Sequence, residues 1–193
     1  DAGKELIEKG VAKSATTTFV YGSRGLYDWL ENNSRVAFET SAVLNSIPDI
    51  ARHEKFHALN TALQVSLAGE VNATIFPDGT QGSSPGGQVE FFHGASFSPG
   101  GKSILALRST AMGNTVSSIA PYLYFGPVTT PGPLVDYVVT EFGVAKLKGK
   151  TVADRALALI AIAHPKFQKE LLAEAVKNGQ ITQLVADGVG IEK

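Results

Sequence analysis

The sequence has 193 residues, of which 44% are hydrophobic and 18% charged, and its formal net charge is -1. This length and composition suit one domain with a buried core and argue against disorder. Because there is no basic excess to neutralise phosphates, we expect no nucleic-acid partner, and because no apolar run approaches 18 residues, we expect no membrane span. The absence of cysteine excludes disulfides and thiolate metal sites.

Short helices and strands alternate over the first fifty residues. The predicted elements are a helix over residues 4–9, a strand over 16–21, a helix over 26–31, a strand over 36–40 and a helical turn that begins at Pro48. Strict alternation then predicts one strand over residues 58–68. Its apolar face includes Leu59, and its small, polar face includes Asn60.

The second half contains a long loop, two strands and a helical tail. Residues 77–101 are rich in Gly, Ser and Pro and predict a loop interrupted by a short apolar piece. Buried strands are predicted at residues 104–107 and 135–140. Two helices follow, the first starting at Thr151 with a capping-box pattern and the second at Pro165, with His164 as its cap. Strands that alternate with helices predict the α/β class.

His53-Glu54-Lys55-Phe56-His57 fits the spacing of a zinc-peptidase motif. That chemistry needs a helix, because only helical spacing brings both histidines to one ion. Here His57 leads directly into the predicted strand, where the two histidines would lie roughly 13 Å apart. We therefore expect a polar turn and no metal site, with a zinc peptidase as an alternative that metal analysis would test.

Two glycine pairs precede candidate binding residues. Gly100-Gly101-Lys102-Ser103 resembles the end of a phosphate loop, but a strand follows it instead of a helix, which argues against a nucleotide triphosphatase. Lys102 is a candidate to bind a phosphate or carboxylate, and the alternative is a solvated turn lysine.

Gly86 and Gly87 allow a ligand to approach the backbone closely. If a helix begins at Gln88, its free N–H groups form a site for an anion or a developing oxyanion, whereas the alternative is a flexible turn. Glu141 ends a predicted strand, at the position where ligands gather in open α/β sheets. It is a candidate base, hydrogen-bond anchor or helix cap.

Several separated motifs together resemble the C-terminal domain of the acetyl-CoA hydrolase/transferase family, which includes 4-hydroxybutyrate and other CoA-transferases. The similarity extends over about residues 3–172. The stretches that carry it are Asn60-Thr61-Ala62-Leu63, Gly69-Glu70-Val71-Asn72, Gly86-Gly87-Gln88-Val89-Glu90-Phe91, Gly94-Ala95, Gly100-Gly101-Lys102-Ser103-Ile104, Ser109-Thr110, residues 135–145 and Ile162-Ala163-His164-Pro165.

This resemblance implies a domain of the CoA-transferase superfamily fold, with a mostly parallel sheet flanked by helices. It implies that residues 1–193 form one domain, the C-terminal half of a longer two-domain chain. It also implies covalent catalysis on an acyl-CoA thioester, in which a glutamate forms an acyl-glutamyl anhydride and then a glutamyl-CoA thioester. A small carboxylic acid accepts the CoA in transferases, and water ends the cycle in hydrolases.

The resemblance also assigns roles to individual residues. Asn60 matches an active-site asparagine beside the glutamyl intermediate, and Glu141 matches an acid that supports the active site. Gly86 and Gly87 match a loop whose N–H groups contact the thioester, with Gln88 in the same motif. Gly101 and Lys102 lie in a stretch that resembles the CoA-facing side.

The nucleophilic glutamate is expected upstream of Asp1, so that Glu39, Glu90 and Glu141 are not its replacements. We expect coenzyme A thioester as substrate, no bound cofactor, the N-terminal domain of the parent chain as partner, a homo-oligomer, and a cytoplasmic location (mitochondrial in a eukaryote). The alternative is a non-catalytic domain that binds CoA or a partner chain, which is motivated by Gln64, Ser66 and the turn at residues 131–133.

Overall fold

The computed structural model describes residues 2–189. Its helices are α1 (Ala2–Glu8), α2 (Arg24–Leu30), α3 (Ser41–Leu44), α4 (Ile47–Arg52), α5 (Gln88–Phe97), α6 (Val152–Ala161), α7 (Pro165–Lys177) and α8 (Gln183–Asp187), with a 3-10 turn at Gly132–Leu134. Its strands are β1 (Ala15–Thr17), β2 (Val36–Phe38), β3 (His57–Asn60), β4 (Gln64–Ser66), β5 (Val71–Asn72), β6 (Lys102–Ala106), β7 (Thr110–Ala111), β8 (Val116–Ser117), β9 (Ile119–Ala120), β10 (Tyr137–Thr140) and β11 (Gly143–Lys146). None of the helices within this described part is long and apolar enough to cross a bilayer.

The main sheet has four strands in the order β11-β10-β6-β3. Strands β3, β6 and β10 are parallel, and β11 returns antiparallel to β10. The long connection from β3 to β6 contains α5, as parallel strands require a crossover. The predicted α/β class with a mostly parallel sheet flanked by helices is therefore confirmed.

One face of the main sheet packs against helices. Ala58, Leu105 and Val138 point to this side and are buried with Phe92 of α5 and Leu159 of α6 in one apolar cluster. The register aligns Ala58 with Ser103 and Leu105 with Val138, so these side chains share a face.

The opposite face of the main sheet lacks such a cover within residues 2–189. Leu59 is 68% exposed and Val144 63% exposed, although both lie in strands. We call this surface the open face. By strand alternation and register, its side chains are those of His57, Leu59, Lys102, Ile104, Ala106, Tyr137, Val139, Val144 and Lys146.

The prediction of one strand over residues 58–68 was wrong. The chain leaves the main sheet after Asn60, and Leu63 donates its N–H to the carbonyl oxygen of Asn72. It then enters a second sheet, in which β4 pairs with β5 and β9. Strand β3 is amphipathic, whereas β4 is buried on both faces in the second sheet. The alternation of apolar and polar residues continues through the bend, so it does not reveal that the chain changes sheets.

Two predicted helix starts are set by local hydrogen bonds. The Thr151 side chain accepts from the Asp154 N–H, and His164 Nδ1 accepts from the Lys166 N–H, so both predicted caps are confirmed. The predicted loop over residues 77–101 is correct only for its first part. Helix α5 occupies residues 88–97, as the conditional helix start at Gln88 anticipated.

Candidate functional site

The carboxyl ends of the parallel strands form one edge of the main sheet. Asn60 is the last residue of β3, and Glu141 comes directly after β10. Because α5 connects β3 to β6 as a crossover, its N-terminus lies at this same edge. Ligands of open α/β sheets bind outside such an edge.

Asn60 presents an unpaired carboxamide at this edge. Its register partner is Leu105, which places the side chain on the helix-covered face of the sheet, toward α5. The residue is half-buried, and its carboxamide has no hydrogen-bond partner among the described residues. The amide is therefore available to a ligand.

The first turn of α5 begins at a glycine pair. Gly86 has a φ of 56°, in the left-handed region that glycine favours, and a side chain there would meet nothing within 4 Å. At Gly87, the N-cap, a Cβ atom would lie 2.7 Å from Asn45 Nδ2 and 3.0 Å from the Phe91 ring. Glycine at position 86 therefore suits the backbone conformation of the turn, whose surface is open there, and glycine at position 87 suits its close packing.

This helix start leaves backbone donors free. The Gln88 N–H donates to the Pro85 carbonyl at 3.2 Å, and the Phe91 N–H donates to the Gly87 carbonyl at 2.9 Å. No acceptor among residues 2–189 pairs with the N–H groups of Val89 or Glu90. Unpaired N–H groups and the positive end of the helix dipole together favour a negatively charged or polarised oxygen.

Gln88 connects the helix start to the end of β3. Its side chain is 2% exposed, and its Nε2 donates a long hydrogen bond of 3.5 Å to the carbonyl of Thr61, the residue after Asn60. Its Oε1 is buried without a partner among the described residues. The structure thus connects the start of α5, at Gln88, to the residue that follows Asn60.

Glu141 holds two loops together at the same edge. Its Oε1 accepts from the Ser109 hydroxyl at 2.6 Å, and its Oε2 accepts from the Ser109 N–H at 2.9 Å. The Ser109 hydroxyl lowers the pKa of Glu141, with help from backbone N–H groups and the nearby Arg108 charge. A carboxylate with both oxygens engaged and a lowered pKa is a weak base. Its geometry is that of an anchor.

Gly101 and Lys102 lie at the opposite edge of the sheet. Lys102 begins β6 and pairs with His57, three residues before Asn60, which is about 10 Å along the strand. A Cβ at Gly101 would lie 2.2 Å from the Ala95 carbonyl oxygen, so packing against the end of α5 already requires glycine there. The structure therefore does not bring these two residues together with Asn60, and their contact with CoA stays a prediction.

Ser109 was missed as a site residue, because its partner Glu141 is 32 positions away and no local pattern connects them. Gln64 was noted only as motivation for the non-catalytic alternative. It lines two neighbouring recesses of about 250 and 160 Å³, and its Oε1 is buried without a partner in the described chain. Neither recess is lined by Asn60 or Gly87, so the candidate site lies on a more open surface.

The two motif histidines lie at the ends of two different elements. His53 caps the end of α4, and His57 begins β3. Across residues 2–189, no three histidine or acidic side chains are grouped as metal ligands would be.

Comparison with known proteins identifies relatives along most of the chain. Residues 22–175 match the family model described as acetyl-CoA hydrolase/transferase C-terminal domain. The 4-hydroxybutyrate coenzyme A transferase of Clostridium kluyveri is 42% identical over 187 residues, covering 92% of this chain and 43% of that protein.

Two solved structures show the same fold. RipA from Yersinia pestis superposes with a TM-score of 0.85 at 37% identity, over 92% of this chain and 42% of RipA. A 4-hydroxybutyrate CoA-transferase from Porphyromonas gingivalis gives 0.77 at 34% identity, over 92% of this chain and 43% of its own. The chain thus spans about two fifths of the length of these relatives.

Proposed function

The chain belongs to the acetyl-CoA hydrolase/transferase family, and from this premise we propose that it is the C-terminal half of an acyl-CoA:carboxylate CoA-transferase or acetyl-CoA hydrolase. The substrates are an acyl-CoA and either a small carboxylic acid or water. Coenzyme A enters as part of the substrate and not as a resident cofactor.

The proposed reaction exchanges a thioester through a glutamate. The carboxylate attacks the thioester carbonyl and expels CoA thiolate, which leaves an acyl-glutamyl anhydride. The thiolate then attacks the glutamyl carbonyl, releases the acyl group as a carboxylate and leaves a glutamyl-CoA thioester. An incoming carboxylate then accepts the CoA from this glutamyl-CoA thioester, or water hydrolyses the thioester. The glutamate itself is proposed to come from a segment outside residues 1–193.

One observation carries this proposal. The N–H groups of Val89 and Glu90 are unpaired at a glycine turn, and the neighbouring Gln88 contacts the carbonyl of Thr61, the residue after Asn60. Both steps above develop negative charge on a carbonyl oxygen, and fixed donors stabilise such charge strongly. We assign these N–H groups to the thioester oxygen and Asn60 to the glutamyl carbonyl.

Glu141 takes a positioning role in this proposal. Its two hydrogen bonds with Ser109 hold the loop after β6 against the loop after β10. Its lowered pKa keeps the carboxyl group ionised. With both oxygens occupied, it is a poor nucleophile. This supports a nucleophile supplied from elsewhere.

The test uses the full-length polypeptide that contains this chain. We expect CoA transfer from acetyl-CoA to a carboxylic acid, or hydrolysis, with a glutamyl-CoA adduct that borohydride traps. Asn60→Ala should lower kcat about 100-fold or more, as loss of one oxyanion donor does. Asn178→Ala, at the half-buried C-cap of α7, is the matched control and should leave kcat unchanged.

Absence of both turnover and a trapped adduct would refute the enzymatic proposal. The same experiment addresses the alternative of a non-catalytic CoA-binding domain, which is favoured by the engagement of both Glu141 oxygens. CoA binding that Asn60→Ala weakens, without any turnover by the full-length polypeptide, would support that alternative.

A further inference from the structure

The main sheet is covered on only one of its two faces. Three of its four strands run parallel, and parallel strands occur almost only in sheets that are covered on both sides. Helices α5 and α6 pack on the same face, where the Thr140 hydroxyl also donates to the Ile162 carbonyl at 2.6 Å. Within residues 2–189, no helix supplies the second layer.

The open face has the composition of an interaction surface. Its centre is apolar, with Ile104 and Val139 between the more exposed Leu59 and Val144. Apolar side chains exposed together on neighbouring strands are typical of an interaction surface. An apolar centre with polar groups at its periphery is also the usual anatomy of a protein interface.

The charged groups of the open face all have one sign. Lys102 and Lys146 lie at its periphery, with His57 beside Lys102, and none of the side chains that define this face carries a carboxylate. The Lys102 ammonium lies 5.8 Å from the centre of the Tyr137 ring, so it remains over this surface. The complementary partner is therefore apolar with acidic residues around it.

We propose that the open face docks the remaining part of the longer polypeptide, through an apolar surface bordered by carboxylates. This rests on the proposed function, in which the chain is one half of a larger protein, and on relatives more than twice its length. A second copy of the same face would bring lysines toward lysines, and like charges disfavour that pairing. Lys102 is then an interface residue.

The test measures how fast single cysteines react with a maleimide. The chain has no cysteine of its own, so each introduced thiol reports one position. Leu59→Cys and Val144→Cys probe the open face. Phe97→Cys, at the end of α5 on the other side and 65% exposed, is a control of matched exposure. Peptide mass spectrometry assigns the modified site in both the isolated chain and the full-length polypeptide.

We expect Leu59→Cys and Val144→Cys to react at least about tenfold more slowly in the full-length polypeptide than in the isolated chain, because thiol modification requires access. The control thiol should react at the same rate in both. Equal rates at all three positions would overturn the proposal. Concentration-dependent protection in the isolated chain would assign the face to a second copy, and a gene that encodes no further segment would remove the proposed occupant.

Assaying thioester turnover in the same preparations separates the two proposals. Turnover without protection of the open face refutes only the docking inference. Protection without turnover refutes only the proposed function.

Discussion

Helices α4 and α5 approach so closely that glycine is required at position 94. A Cβ atom built on Gly94 would lie 2.4 Å from Ile50 Cγ2 and 2.6 Å from Ile50 Cβ. Ordinary carbon contacts are about 3.5–4.0 Å, so the helices would have to separate by roughly 1 Å. Ile50 is itself buried.

The Gly94→Ala substitution therefore combines two opposing effects. Replacing glycine by alanine inside a helix raises the free energy of unfolding by about 1 kcal/mol. Overpacking a well-filled contact lowers it by about 1–3 kcal/mol, and the short distances to Cβ as well as Cγ2 favour the upper part of that range. We expect a net decrease of about 1–2 kcal/mol, measured by urea denaturation followed by far-ultraviolet circular dichroism.

Gly25→Ala is the control for this prediction. Gly25 lies in α2, and the nearest atom to its built Cβ is Ser23 Oγ at 3.9 Å, an ordinary contact. The same chemical change should there raise the stability of the α2 region by about 0.5–1 kcal/mol. If Gly94→Ala proves as stable as the unmodified chain, or more stable, the close packing of α4 on α5 is wrong.

Two further predictions concern Glu141 and Thr151. The Ser109 hydroxyl lowers the pKa of folded Glu141, so its stabilising effect is present above the unfolded pKa and is lost as pH falls through the folded value. The urea midpoint of Glu141→Gln should therefore be below that of the unmodified chain at about pH 7, and the two midpoints should converge as the pH falls through the folded pKa of Glu141. A difference between the midpoints that is constant with pH would contradict a stabilising role of the ionised carboxylate. Thr151→Ala removes the oxygen that accepts from the Asp154 N–H and should lower the free energy of unfolding by about 1 kcal/mol. Thr151→Ser keeps this oxygen, and an equal loss in that variant would show that capping is not the cause.

Local interactions were predictable from the sequence. The caps at Thr151 and His164 join residues two or three positions apart, so neighbouring residue types are enough to predict them. These local hydrogen bonds determine where helices begin, and they do not depend on contacts with distant parts of the chain. The helix start at Gln88 was one of two open alternatives, beside a flexible turn, and the glycine pair alone did not decide between them.

Interactions over long distances in the sequence were not predictable from spacing. The contact between Ser109 and Glu141 depends on β6 and β10 being neighbours in the sheet, and the contact from Gln88 to Thr61 depends on the crossover of α5. No pattern within a single segment contains that information. The resemblance identified Asn60 and the glycine turn, but only the sheet topology shows that Lys102 lies at the other edge.

The alternating pattern around Leu59 shows a different limit. Alternation establishes that two faces of a strand differ, but it does not show which of them is covered. In β3 the apolar face at Leu59 is exposed, whereas Ala58, on the small, polar face, is buried. Which face is covered depends on residues outside the strand, so the period of the strand's own sequence does not show it.

The open face has a consequence for how such a protein is made. In a polypeptide whose other half is synthesised first, that half can already be folded when β3, β6, β10 and β11 emerge from the ribosome, because domains generally fold as units in order of synthesis. The open face of the new sheet would then be covered as the sheet forms. If the chain is expressed without that half, the open face stays exposed throughout folding. Chaperones would then bind a surface that the other half would cover in the longer polypeptide.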